Sequence, residues 1–112
     1  MSTKIYQGKY NNSSAQIYLV EKGKIYRGKY SNSSDEIKDV KPSGFIIESN
    51  AKVYKGKYKN SSDQIMLIEN QKIYRGRYNN SSDQIALIEG DRLNDSEFEK
   101  IIYLLAQKNN LI

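Results

Sequence analysis

Cysteine, histidine and tryptophan are all missing from these 112 residues. Without cysteine there is no disulfide framework and no thiolate metal ligand. Without histidine the commonest general acid/base and the commonest metal ligand near neutral pH are gone. Mechanisms built on Ser-His-Asp or Cys-His pairs are excluded, and no other nucleophile is paired with a base. No enzymatic activity and no cofactor or metal is therefore expected. Proline occurs once, at position 42, and no apolar run approaches the roughly 20 residues that span a bilayer. The first residues run into strand-like sequence without the basic, apolar and small-residue regions of a signal peptide, so a soluble, cytoplasmic protein is expected.

What is present is one fourteen-residue phrase, K-[I/V]-Y-x-G-[K/R]-Y-x-N-S-S-[A/D]-[Q/E]-I, written four times. The copies are residues 4–17, 24–37, 52–65 and 72–85. Self-similarity of this kind decides architecture before local propensity does. A single domain over 1–112 is expected, with repeats 4–23, 24–51, 52–71 and 72–91. The spacing is 20 residues between the first two copies and between the last two, but 28 between the second and third. The extra residues fall around 38–44, KDVKPSG, where proline and glycine predict a longer surface loop.

Each copy reads as a hairpin. The Ile and Tyr of K-I-Y-x-G-K-Y suit a strand. Asn-Ser-Ser-Asp then favours a turn through side chains that bond their own backbone. Such turns account for the four Asn-Ser-Ser sequons, at Asn12, Asn32, Asn60 and Asn80. One carboxylate per turn (Asp35, Asp63, Asp83, with Ala15 in the first copy) is too thin for calcium. A second, apolar strand follows, as in IYLV at 17–20 and IMLI at 65–68. Alternation places Ile65 and Leu67 on one face and Met66 and Ile68 on the other, so this strand needs cover on both sides.

Four hairpins give eight strands. The fold class expected is mainly β, an eight-stranded shallow antiparallel barrel with one C-terminal α-helix at about 95–108. Asn94, Asp95 and Ser96 supply capping residues, with Ser96 and Glu99 as the expected capping box, and Phe98, Ile101, Ile102 and Leu105 recur at helical spacing as the helix's contact residues. Plugging the barrel, capping it and mediating assembly would all leave this same stripe.

Four copies of I-Y-x-G with a Ser-rich turn and a terminal helix resemble the four-fold β-flower family of bacterial domains. The likeness covers residues 4 to about 90. It implies a shallow pseudo-four-fold barrel with a central apolar channel, broadly similar to tubby and scramblase barrels.

Three sets of residues are candidate sites. Tyr6, Gly8 and Tyr10, with Tyr26, Gly28, Tyr30, Tyr54, Gly56, Tyr58, Tyr74, Gly76 and Tyr78, would share one strand face and line a symmetric centre. A barrel of eight strands is about the smallest that can hold one small ligand. Packing is the plainer reading of these tyrosines, and a coiled strand under a tyrosine ring the plainer reading of the glycines. The second set is cationic: Lys9, Arg27, Lys29, Lys55, Lys57, Arg75 and Arg77. With Gln7 they occupy the eight positions beside the four glycines and would form one positive belt. A solvated outer face would look the same. The third set is the helix stripe itself. The charge balance, eighteen basic against thirteen acidic residues for a net +5, permits anionic partners without demanding them. The expected function is a non-enzymatic binding or scaffold module for a small apolar or lipid-like ligand. Homo-oligomerisation is the first alternative, and binding to an anionic membrane or nucleic acid through the belt is the second.

Overall fold

The computed structural model describes residues 2–112 and contains eight antiparallel strands in one sheet, followed by one helix. The strands are β1 (Ser2–Gln7), β2 (Gln16–Glu21), β3 (Lys24–Arg27), β4 (Phe45–Glu48), β5 (Lys52–Lys55), β6 (Gln64–Glu69), β7 (Lys72–Arg75) and β8 (Gln84–Gly90), and the helix is α1 (Asp95–Lys108). The fold class expected from the repeats is what is found. The sheet order is β3-β2-β1-β8-β7-β6-β5-β4, so the two ends of the meander meet through β1 and β8.

A glycine and an isoleucine shape each repeat together. The first strand stops one residue before the glycine, which adopts φ of +88 to +91° in all four copies. A Cβ at these glycines would meet nothing within 4 Å, so backbone conformation, not close approach, demands glycine there. Three of the glycine N–H groups donate to the phrase-ending isoleucine of a neighbouring repeat: Gly8 to Ile85 O (2.7 Å), Gly28 to Ile17 O (2.7 Å) and Gly76 to Ile65 O (2.8 Å). Those isoleucines are bulge residues. The register jumps past them, with Ile5 opposite Tyr18 but Tyr6 opposite Gln16, and the same step recurs in the third and fourth copies. The bulge corrects simple alternation: Ile65 packs with Met66 and Ile68 against the core, and Leu67 faces away.

The Asn-Ser-Ser segments form single 3-10 turns, held by the asparagine carbonyl, while in three copies the asparagine Nδ2 donates to the aspartate of the turn at 3.4–3.5 Å. Asn12 O accepts from Ala15 N at 2.9 Å, and the other three copies match. The tight turns opposite them place Lys22-Gly23 and Asn70-Gln71 at positive φ, the conformation that follows the right-handed twist of a hairpin.

The ring is incomplete at one seam, because one strand is torn in two. Glu36 bridges to Tyr26, and Ile37 N donates to Ile25 O (2.8 Å), as the start of a strand beside β3 would. The chain then leaves, and its continuation, Gly44 through β4, pairs only with β5; Gly44 O takes the Gly56 N–H at 2.8 Å. Elsewhere Ile68 N reaches Ala51 O (2.7 Å) and Ile88 N reaches Gln71 O (2.8 Å). The corresponding groups of Ile47 and Gly23 are not joined. Residues 38–44 are therefore more than a surface loop: they leave the shallow barrel unclosed.

The helix spans the boundaries expected, but its cap lies two residues earlier than Ser96. Asn94 Oδ1 accepts from Glu97 N (2.8 Å), and Glu97 Oε1 accepts from Asn94 N (3.0 Å). Its far end closes in a Schellman motif, with Leu111 N on Ala106 O (2.8 Å) and Asn110 N on Gln107 O (3.2 Å), and Asn110 at φ +58°. Asn94→Ala should lower stability by about 1 kcal/mol in urea titrations followed by circular dichroism. An unchanged midpoint would show that the capping box does not hold the helix start.

Candidate functional site

The two faces of the sheet have different fates. One carries Ile5, Ile25, Val53 and Ile73, with Tyr18, Val20, Met66, Ala86 and Ile88 from the second strands. These join Ile101, Ile102, Leu105 and Ala106 of α1, all four fully buried, in a single core that Phe45 and Ile47 complete from β4. Side chains of every strand thus converge on the helix, and the middle of the sheet is filled by packing. Phe98 joins the rim of this core, and Tyr103 stacks on Phe45 with ring centroids 6.0 Å apart. The helix stripe is spent inside its own chain, which leaves little of it for an intermolecular contact.

The opposite face holds the first tyrosine of each phrase. Tyr6, Tyr26, Tyr54 and Tyr74 are only 4–8% exposed. Each lies across from an aliphatic residue, namely Leu87, Leu19, Ile46 and Leu67 respectively. Tyr6 Oη donates to Glu89 Oε1 (3.4 Å) and Tyr54 Oη to Glu48 Oε1 (3.3 Å). Burial first, then the neighbouring carboxylate and the bond to it, push both hydroxyls above the usual tyrosine value. The eighth residue of the phrase reaches these two glutamates and their equivalent in β6: Asn11 to Glu89 (2.8 Å), Lys59 to Glu48 (3.6 Å) and Asn79 to Glu69 (2.8 Å). Glu21, Glu48, Glu69 and Glu89 are thus part of the repeat, the last residue of β2, β4 and β6 and the last but one of β8. Their recurrence ahead of each turn was the available signal, and it lies outside the fourteen-residue phrase.

The tyrosine-glycine-tyrosine set does not share one face. The positive φ at the glycine ends the strand, so Tyr10, Tyr30, Tyr58 and Tyr78 leave the sheet and stand 63–70% exposed. Three open clefts of about 360, 280 and 220 Å³ border the helix, and neither tyrosine ring lines any of them. The pocket residues expected at a symmetric centre are therefore divided between a buried face and the solvent.

The cations are brought together more convincingly. Antiparallel pairing sends the four long connections, 8–15, 28–35, 56–63 and 76–83, out of the same end of the sheet. Lys9, Lys29, Lys57 and Arg77 lie on them, beside the exposed tyrosines, and all are exposed, as are Arg27, Lys55 and Arg75 at the strand ends. Arg77 lies over the Tyr78 ring, 5.9 Å from its centroid. Residues 7–15, 27–35, 55–63 and 75–83 carry eight cations against three aspartates, whereas all other residues carry ten cations and ten carboxylates. The net excess of +5 thus belongs to these four segments in sequence, while the loop tips Asn11, Lys59 and Asn79 fold back onto Glu89, Glu48 and Glu69 of the second strands. Among the described residues only Lys59 of these eight has a carboxylate partner.

Around the helix C-terminus the four-fold pattern breaks. Gln7 Nε2 donates to Asn109 Oδ1 (3.3 Å), and Arg75 Nη1 donates to Asn109 O (3.4 Å). Arg27 instead borders the smallest cleft, together with Gln16, Tyr18 and Lys108. Lys108 and Asn109 had no place in the repeat pattern, because the helix that brings them there is not repeated, and Tyr18 stands at a position where the third and fourth copies have Met66 and Ala86. At the other end, no group of three or more acidic residues that could hold a metal occurs among the described residues. Among the described residues no helix is long and apolar enough to cross a membrane. No protein-family model, curated protein or solved structure matches this chain, so its function is read from geometry alone.

Proposed function

We propose that the protein is a non-enzymatic binding module that docks on an anionic membrane surface through the loop end of its sheet. The observation that carries this reading is the segregation of charge. The four loops and the strand ends feeding them carry eight cations against three aspartates, next to four exposed tyrosines. Glu48, Glu69 and Glu89, which touch the loop tips, offset part of this charge, and of the eight cations only Lys59 is paired among the described residues. Tyrosine and lysine are the pair that interfacial contacts favour, one placing an amphipathic ring at headgroup depth and the other adding about 1 kcal/mol of attraction per charge. Four loops of like sequence leave the same end of the sheet and repeat this pairing of cation and exposed tyrosine. That arrangement fits a flat surface better than the groove a single nucleic-acid strand follows.

Vesicles of phosphatidylcholine with about one-third phosphatidylserine should bind the protein at low salt, and release it steeply as salt rises. The double variant Arg75→Glu, Arg77→Glu reverses four units of charge and should weaken binding by about 100-fold or more. Tyr30→Ala with Tyr58→Ala should weaken it less and without changing the salt slope. Retention on single-stranded RNA but not on vesicles would overturn the reading.

A small apolar ligand keeps one specific observation in its favour. The cleft of about 360 Å³ beside the helix start is lined by Ile68, Ile88, Leu93 and Phe98, and lies within the size range of ligand sites. It sits off the axis, between turns, not at the four-fold centre.

A further inference from the structure

We propose that the cleft between β2, β3 and the last turn of α1 is a binding site for a phosphate monoester, held by Arg27, Lys108 and the Tyr18 hydroxyl. The proposal deepens the membrane reading by naming a headgroup chemistry, and it opens on the same end of the sheet. Three observations lead to it.

The first is charge. Arg27 and Lys108 both line the cleft, neither has a carboxylate within ion-pairing distance, and no lining residue is acidic. A phosphate is the anion that an arginine fork and a lysine point charge hold together.

The second is an unmatched hydroxyl. Tyr18 is 7% exposed, and among the described residues its Oη has no hydrogen-bond partner and is not sealed from solvent. Open to solvent, the hydroxyl is free to bond a ligand oxygen in place of water. Burial raises this hydroxyl above the usual tyrosine value and the Arg27 charge works against that rise, so at neutral pH it stays protonated and can donate. The Gln16 amide is already committed to Gly28 O (3.1 Å) and Tyr18 O (3.4 Å), which fixes the cleft wall.

The third is broken symmetry. Of the four strand-end positions, Gln7 and Arg75 are consumed by Asn109, and Lys55 sits opposite Phe45 on the seam side. Arg27 alone meets a second cation from the helix. The last helix carbonyls already have partners: Leu105 O and Gln107 O accept from Asn109, Gln107 O also from Asn110, and Ala106 O from Leu111. A volume of about 220 Å³ is below that of drug-sized sites and suits a phosphate with a small polyol.

The test titrates the whole chain with inorganic phosphate and with glycerol phosphate, reading amide chemical shifts at Gly28 and Lys108. Saturable shifts are expected. Arg27→Gln and Lys108→Gln should each weaken affinity by more than about tenfold, and Tyr18→Phe by about three- to tenfold. Lys72→Gln, at the opposite end, should change nothing. Equal affinity in Tyr18→Phe, Arg27→Gln and wild type would overturn the site. A vesicle arm then compares phosphatidate with phosphatidylserine at equal surface charge. Preference for phosphatidate, erased by Lys108→Gln, identifies a lipid headgroup as the source; monoester binding without that preference identifies a free phosphate. Vesicle binding without any monoester binding sinks this cleft and spares the docking surface. Monoester binding without any vesicle binding does the reverse.

Discussion

Leu105→Ala should destabilise the protein by about 3 kcal/mol, a large share of the 5–15 kcal/mol that separates folded from unfolded states in domains of this kind. The side chain is fully buried, at the place where the helix meets residues from the strands around it. Truncation removes its transfer energy and leaves a cavity, because Ile101, Ile102 and Ala106 on the same stripe are held by the helix backbone and cannot all move in. Leu104, half-exposed one residue earlier, should cost about 1 kcal/mol when truncated likewise. The measurement is urea unfolding followed by tyrosine fluorescence, since the chain has ten tyrosines and no tryptophan. A helix serving as an intermolecular contact gives the opposite signature. Leu105→Ala would then lower the mass in solution and barely shift the midpoint of a dilute sample, and that outcome would sink the packing described here.

The repeat made the architecture legible because each copy carries its own strand, turn and second strand. Four such units cannot bury their isoleucines except against each other. The helix was legible too, from Phe98, Ile101, Ile102 and Leu105 at a period that no strand tolerates. What stayed hidden was anything decided by one backbone angle. Alternation carried Tyr6 and Tyr10 to the same face, but the intervening Gly8 at φ +88° ends the strand between them. The same limit applied to Ile17, Ile65 and Ile85, where one bulge residue moves the side chain to the other face.

The seam was only half visible. Spacing revealed eight additional residues between the second and third copies. Their division into seven at 38–44 and one in the turn at 49–51 emerges only from the ladder, which aligns Phe45 with Met66. The candidate site shows the same split. The cations were found as a set because they recur, and their gathering at one end follows from antiparallel pairing. Tyr18 and Lys108 could not be found this way. Tyr18 stands where the other complete repeats have Met66 and Ala86, and Lys108 belongs to an element that occurs once.

Gly90→Ala should be the most damaging glycine substitution, exceeding Gly28→Ala although both glycines have positive φ. At Gly28, with φ +91° and open space around a new Cβ, only the strain of the left-handed region is added, about 1–2 kcal/mol. Part of that is offset, since alanine also lowers the entropy of the unfolded chain. At Gly90, with φ +117°, the new Cβ would lie 2.5 Å from Ser2 O and 3.1 Å from Thr3 Cα. Both neighbours are backbone atoms of a paired strand, so nothing can rotate away. Gly90 faces Thr3 in the β1–β8 ladder, where the two ends of the meander are joined, and the Thr3 hydroxyl donates to Asp91 O beside it. The strand must therefore withdraw, and the pairing that brings the ends together opens with it. The expected cost is about 3 kcal/mol or more. Hydrogen exchange should show where the loss falls: amides of β1 and β8 lose protection before those of β5 and β6, whereas Gly28→Ala leaves β8 protected. Equal costs for the two variants, or uniform loss of protection in Gly90→Ala, would mean that the meander's ends are not held together by this close approach.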